Sequence, residues 1–428
     1  MRNFFLFVLV SFGLSVEGCT ATSWALLVAG SKGWYSYRHQ AEILQAYQIL
    51  KYQHVPEENI ILMHYDDIAV NAQNPTPGQV LTSSSGLNVY ENAPKDYTGK
   101  DITPENLMNI LTGNKTAMAG VGSGKVIDST SKDTVLVYFA GHGGQAVLAF
   151  PNSQITVQGF KQLLEKMHEE KRYAKVMLLL FEASFSASML RNTRLNDMNI
   201  FALTSSDFKE SSQACNFDET RATYLMDCFS SNLLSLWSNN NGNMSLDSIY
   251  DAVKERTTSS TVVKFDNSSL GSQLLSSFIG ENISPGTGHE IKPHHMDQNA
   301  VKSEDVPVHI LEHKTASNQS KDYAAYDQLL EKRSYIQDIY QKVVDDLANS
   351  DFQKRYWMQV GIDKIHNWAC HTDIVDQFSK ICFNFGENPY ALKFVHALAH
   401  ICNEGVSRSK IIDTFRRVCQ EGKNVEAQ

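Results

Sequence analysis

The sequence predicts an α/β fold, a mostly parallel sheet flanked by helices, followed by a separate all-α domain. Three observations point there. Short apolar runs alternate with stretches of helical spacing over the first two thirds of the chain, the pattern of buried parallel strands covered on both faces. Two of those runs lead straight into small polar motifs. Beyond Lys321 the apolar residues recur at three and four, and four cysteines crowd the end of the chain.

Trp24 to Ala29 is the first strand and closes on Gly30; the spacing from Arg38 to Lys51 predicts a helix. Ile60 to Met63 is the second strand, ending in the acidic turn Asp66-Asp67. The stretch from about Asn71 to Ser131 is rich in Gly, Pro, Ser and Thr and reads mostly as surface excursions. Val135 to Phe139 is a third strand running into Gly141-His142-Gly143-Gly144, and a helix is expected over 156–170. Val176 to Phe181 runs into Glu182-Ala183-Ser184, and Ile200 to Leu203 ends in polar residues. His142 and Ser184 thus each follow the carboxyl end of a strand, the edge of an open α/β sheet where ligands bind. From Ile283 to about Ser320 the periodicity dissolves, and the segment reads as a linker. Tyr326, Leu329, Leu330, Tyr335, Ile336, Ile339, Tyr340 and Val343 then restore helical spacing. The expected division is a leader at 1–18, a core at 19–282, a linker at 283–320 and a helical unit at 321–428.

The chain has 428 residues, 42% of them apolar, and a formal net charge of -9. That length can bury a large core and a smaller second one. The charge balance, with no Lys/Arg run, argues against a nucleic-acid partner. Met1-Arg2, the apolar run Phe4 to Leu14 and the small residue Gly18 read as a secretory signal peptide, too short for a membrane helix. No later stretch reaches the length of a membrane span. Sequons at Asn114, Asn243, Asn267, Asn282 and Asn318 agree with entry into secretion, two or three of them being expected to carry glycan. In an oxidising compartment Cys370, Cys382, Cys402 and Cys419 suggest two disulfides, with three pairings open. Cys19 lies at the expected cleavage site. Cys215 and Cys228 have no obvious base beside them and read as structural or idle. His294-His295 and the pair His396, His400 have ligand-like spacing but no third ligand, so no metal site and no cofactor is expected.

Val28-Ala29-Gly30-Ser31-Lys32-Gly33-Trp34-Tyr35 followed by Tyr37-Arg38-His39-Gln40-Ala41 resembles the first signature of the legumains, also called vacuolar processing enzymes or asparaginyl endopeptidases. Tyr65-Asp66-Asp67-Ile68-Ala69, Asn74-Pro75-Thr76-Pro77-Gly78, Pro94-Lys95-Asp96-Tyr97-Thr98-Gly99 and Gly122-Ser123-Gly124-Lys125-Val126 look like the next blocks, in order. The resemblance runs from about Trp24 to Gly280 and resumes through the C-terminal cysteines. It implies a caspase-like core and a helical propeptide that covers the active site until acid releases it. It also implies cleavage after Asn, and more slowly after Asp, by a cysteine nucleophile. The family's histidine aligns with His142, and its specificity pocket with Arg38, His39, Glu182, Ser211 and Asp227. A cation and carboxylates together can read a side-chain amide, which accepts at one end and donates at the other. The implied disulfides are Cys370–Cys402 and Cys382–Cys419.

The pattern breaks at the catalytic centre. The family's Glu-Ala-Cys-Glu-Ser-Gly-Ser reads Glu182-Ala183-Ser184-Phe185-Ser186-Ala187-Ser188, Gly141 replaces the Asp before the histidine, and Ser36 replaces the Asn that orients it. A thiol beside an imidazole can ionise before substrate arrives. A serine hydroxyl needs an aligned base during attack, and a group to orient that base. The expectation is therefore a homologue impaired in catalysis that keeps a pocket for Asn-containing chains. The alternatives are a peptidase using Ser184 as nucleophile and His142 as base, a variant gene copy with active relatives, and a scaffold whose pocket residues only pack. Asn299 and Asn318 are candidate activation sites in the linker. Lys332, Arg333, Lys354 and Arg355 are the cations of the helical unit expected to face the pocket carboxylates. The expected compartment is lysosomal, vacuolar or extracellular.

Overall fold

The computed structural model describes residues 22–173, 177–191, 193, 195–239, 243–266, 270–280, 299–316, 320–359, 361–362 and 364–426. The expected leader at 1–18 and the sequons at Asn267, Asn282 and Asn318 lie outside them. Asn243 is exposed and Asn114 half-buried, its side chain capping a short helix.

A six-stranded sheet forms the centre. Its strands are β1 (Ser23–Ala29), β2 (Ile60–Met63), β3 (Thr134–Ala140), β7 (Met177–Glu182), β8 (Ile200–Thr204) and β11 (Val263–Phe265). They stand in the order β11-β8-β7-β3-β1-β2, all parallel except β11. The continuous apolar runs follow from burial on both faces. Ala25, Leu27, Leu136, Tyr138, Leu178 and Leu180 point to one face, packed by α1 (Tyr37–Tyr52), α5 (Cys228–Asn239), α6 (Leu246–Arg256) and α7 (Ser276–Ile279). Leu26, Val28, Val135, Val137, Leu179 and Phe181 point to the other, under α2 (Pro104–Leu111), α3 (Lys115–Met118) and α4 (Val157–Glu169).

Two small sheets decorate the carboxyl edge. One is β4 (Gly143–Gly144), β5 (Val147–Phe150) and β6 (Ser153–Thr156); the other is β9 (Gln213–Asp218), β10 (Thr223–Asp227) and β12 (Val301–Lys302). The C-terminal unit comprises α9 (Ser320–Leu347), α10 (Asp351–Met358), α11 (Trp368–Ile381), α12 (Val395–Asn403) and α13 (Arg408–Glu426). Cys370 is bonded to Cys402 and Cys382 to Cys419. Its core is continuous with the α/β body, since Val147 and Ala149 of β5 pack into the same cluster as Ile374, Phe378, Leu392 and Phe415. Polar contacts seal the seam: Gln154 bonds Asp376 and Ser379, and Asn384 donates to the carbonyl of Asn152.

Two expectations need correction. The stretch 71–131 contains α2 and α3; Thr103 caps α2 with Pro104 in its first turn, a start signal hidden among turn residues. The linker is not structureless throughout. Its first part, 283–298, lies outside the described residues, but Val301–Lys302 is a strand and Val306–Ala316 is a helix, α8. Val306 and Ile310, one turn apart, are buried against Ala214 and Tyr224. Of the two readings of Cys215 and Cys228, structural or idle, the bond between them bears out the first.

Two histidines of the C-terminal unit carry a consequence for acid stability. Burial lowers His371 and His396 to about 4, and neither nitrogen of His371 has a hydrogen-bond partner among the described residues. The unfolded chain takes up these protons near pH 6.5, while the folded chain refuses them until about 4. Stability is therefore present above that upper pH and falls as pH drops through the window, by about 3 kcal/mol at most per residue. His371→Phe is expected to flatten the loss of thermal stability between neutral and acid pH. Identical pH slopes for the two proteins would refute this origin.

Candidate functional site

The carboxyl ends of β1, β3 and β7 meet side by side. Ala29 pairs with Ala140 and Ala140 with Glu182, so the loops that follow share one edge. Past β3 the amide of Gly141 donates to the Glu182 carbonyl, leading to His142. Past β7, Phe185 adopts φ 57°, a left-handed conformation rare for a bulky residue and concentrated at functional turns. Its amide donates to the Glu210 carbonyl, which fixes the turn that presents Ser184. Gly143 must be glycine, for a Cβ there would lie 2.3 Å from the Ser184 carbonyl oxygen. The loop after β1 is tied down by Asp67, which accepts from the Gly33 amide and the Gln40 side chain.

No hydrogen bond joins Ser184 to His142. The Ser184 hydroxyl oxygen accepts from the Ser212 amide at 3.1 Å. His142 Nε2 instead meets the Ser36 hydroxyl at 2.9 Å, and its ring stands edge-on to His39 at 4.9 Å. The expectation that losing an amide at position 36 leaves the imidazole unheld is thus corrected: the serine there reaches it. Burial, helped by the Arg38 charge, lowers His142 to about 3, so the ring is neutral but weakly basic.

Beside this pair lies a buried cluster of charges. Arg38, completely buried, donates from Nε to Asp227 at 2.7 Å and from Nη1 to the Tyr35 carbonyl at 3.0 Å. His39 bonds the Ser31 hydroxyl at 2.7 Å and approaches Asp227 to 3.5 Å. Glu182, at the end of β7, is also buried, accepting from Ser230 at 3.4 Å. Arg38, His39, Glu182 and Asp227 are therefore brought together. Ser211 is less directly placed: its side chain makes no bond to the cluster, and Ser212 next to it is the residue bonded to Ser184.

Sequence reasoning missed Glu42. It lies one helical turn beyond Arg38 on α1, a spacing that puts both on one face. Its carboxylate accepts from the Asp227 amide at 2.6 Å and the Ser230 hydroxyl at 2.8 Å. Three carboxyls thus share one guanidinium. Burial, followed by repulsion from Asp227, holds Glu42 and Glu182 well above the ordinary carboxylate range; burial also raises Asp227, with Arg38 opposing. Burial and the Arg38 charge keep His39 neutral. Around the cluster Glu182 Oε1, Ser212 Oγ, Asp227 Oδ2 and His39 Nε2 are buried without a hydrogen bond among the described residues. A site that both donates and accepts suits an uncharged amide better than a further ion.

The chain covers its own cleft. Val301 and Lys302 pair antiparallel with Ala214 and Gln213 on the edge of β9, Ser303 donates its amide to the Ser212 carbonyl, and Arg38 reaches the Ser303 hydroxyl at 2.5 Å. From the helical unit, Arg333 bonds the Glu304 carbonyl and the Asp305 carboxylate and stacks on Tyr390 at 4.2 Å. Leu392 lies against Gly144 so closely that a Cβ there would come within 2.7 Å of its carbonyl oxygen. The space left among His142, Ser184, Phe185, Ser303, Glu304, Pro389 and Lys393 is about 10 Å³, room for one water. Of the four cations expected over the pocket, only Arg333 is near it, and it holds the covering segment, not the carboxylates. Lys354 pairs with Asp345 and Asp351 on the outer face, and Lys332 and Arg355 are exposed.

Comparison with known proteins places these features. Residues 23–281 match the peptidase C13 family and residues 324–419 the legumain prodomain. Rat legumain is 36% identical over 410 residues and human legumain 34% over 411, each alignment covering 92% of both chains. The vacuolar-processing enzyme delta-isozyme of Arabidopsis thaliana is 33% identical over 435 residues, covering 95% of this chain and 92% of its own. Among solved structures, caspase-1 from Spodoptera frugiperda is similar at 9% identity with a TM-score of 0.37, over 62% of this chain and 92% of its own.

Removing the guanidinium tests the cluster. Arg38→Met strips the buried Asp227 carboxyl of its paired cation and is expected to cost about 3–5 kcal/mol in urea unfolding at neutral pH. The loss shrinks as acid protonates Asp227. An equal loss at pH 7 and at about pH 4 would contradict the shared-charge account.

Proposed function

We propose, since this chain belongs to the peptidase C13 family, that it binds extended asparagine-containing chains in the cleft beneath its helical cap and is impaired in cutting them. The family's cysteine position is occupied by Ser184, and one observation carries the reading: no hydrogen bond joins the nucleophile position to the base. Ser184 accepts from Ser212, and His142 Nε2 is taken by Ser36. An imidazole lowered to about 3 is also a poor acceptor for a hydroxyl proton at any pH near neutral. Displacing the cap would rehydrate the ring and recover part of that basicity. The side-chain pocket is Arg38, His39, Glu182 and Asp227, supported by Glu42; β9 supplies the backbone edge, as β12 already uses it.

The second reading is slow hydrolysis with Ser184 attacking and His142 as base. Ser36 favours it, since a hydroxyl that holds the imidazole supplies the orienting group such chemistry requires. The oxidised cysteine pairs agree with entry into the secretory pathway, and we assign the protein to an endolysosomal or extracellular compartment. Asn299, exposed two residues before β12, is the candidate activation site that the described residues contain.

Two outcomes follow. Incubated alone at about pH 4.5, the full chain remains uncut; spontaneous release of a core fragment would overturn the impaired reading. Against a peptide containing one Asn, Ser184→Cys after acid treatment gains cleavage by on the order of a thousand-fold or more over the unmodified protein. Comparable rates in the two would favour the serine peptidase, and silence in both with no peptide binding would favour a scaffold.

A further inference from the structure

The Cys215–Cys228 bond occupies a particular place in the site. Cys228 is the residue after Asp227, where β10 turns into α5, and Cys215 lies on β9 opposite Met226. The hairpin ladder ends at the pair Asp227↔Ala214, and Ala214 is also the partner of Val301 on the opposite edge of β9. Both sulfurs belong to residues with no exposed surface. The bond therefore clamps the last rung of the hairpin, where one strand carries the pocket carboxylate and the other carries the backbone edge.

We infer that the Cys215–Cys228 disulfide is a positioning element of the peptide site, fixing the Asp227 carboxylate relative to the β9 edge so that side chain and backbone of an extended chain are held in one register. The inference rests on the reading of that edge as the docking site for such a chain. Asp227 is otherwise located by the Arg38 guanidinium at its side chain and the Glu42 carboxyl at its amide, both contributed by α1. Those contacts fix it against the helix, not against β9. Beyond the last rung, α5 leads away, and without the covalent link the end of the ladder is free to fray. Fraying would move Asp227 and Ala214 apart together, loosening β12 on one side and the charge cluster on the other. The other two disulfides lie in the helical unit and have no such relation to the cleft.

The test uses the full chain and hydrogen exchange of its backbone amides. Cys215→Ala/Cys228→Ala is compared with Cys370→Ala/Cys402→Ala and with the unmodified protein. A volume-filling pair, Cys215→Val/Cys228→Ala, is carried alongside in case the first variant folds poorly. The expected result is exchange faster by about tenfold or more in peptides spanning 211–218 and 299–306, with trypsin nicking after Lys302, while the sheet and helical unit keep their protection. The Cys370/Cys402 variant should spare 211–218 and 299–306. Unchanged protection of the β9–β12 pairing in folded variants lacking the bond would overturn the inference, as would an equal loss throughout the molecule. No external peptide enters this measurement. Failure of the full chain to bind asparaginyl peptides after acid treatment would thus count against the proposed function and leave this result standing.

Discussion

One buried cation organises this molecule. Arg38 has no exposed surface and sits among Asp227, Glu182 and Glu42, contributed by β10, β7 and α1. A buried charge of either sign is costly unless paired and hydrogen-bonded, so each of these elements is constrained by the same requirement. The first turn of α1 must face the hairpin, β7 must end beside it, and the hairpin must close where Asp227 meets the guanidinium. Ser230, bonded to both Glu42 and Glu182, ties α5 to the same point.

The excess of carboxyls gives the cluster its second property. With one guanidinium for three carboxyls and His39 kept neutral, burial and repulsion from Asp227 favour the protonated forms of Glu42 and Glu182. A protonated carboxyl donates as well as accepts, which widens what the pocket can recognise at no cost in net charge. The covering segment answers this chemistry with a hydroxyl, Ser303, and not with an ion.

Much of this was legible in the sequence. The strands of the parallel sheet other than β11 were readable because burial on both faces leaves unbroken apolar runs, and His142 and Ser184 stood out because they follow two of those runs directly. Arg38, His39, Glu182 and Asp227 came from matching blocks, and the structure gathers them. Glu42 was missed although its signal was present: an acidic residue four positions after Arg38, on the same face of its helix. The Ser36–His142 contact was hidden because a serine that replaces an amide reads as a loss, and only geometry shows its hydroxyl reaching the ring. β12 was hidden for a different reason. A two-residue strand has no period of its own and exists because β9 offers an unpaired edge. Cys215 and Cys228 are joined by the fold of a hairpin, which their separation of 13 residues does not announce.

The strand Val301–Lys302 and the Ser303 contact fill the β9 edge from within the chain, so that on the proposed function the protein carries its own competitor. A tethered segment of this kind presents itself at an effective concentration on the order of millimolar. Any free peptide must displace it. If the tethered strand and a free peptide were equally good ligands, each micromolar for a bare groove, the intact chain would show the peptide an apparent affinity about a thousand-fold weaker. On that reading weak capture by the intact chain would be a property of occupancy, and the intrinsic strength of the groove would be felt only after the inner strand has left.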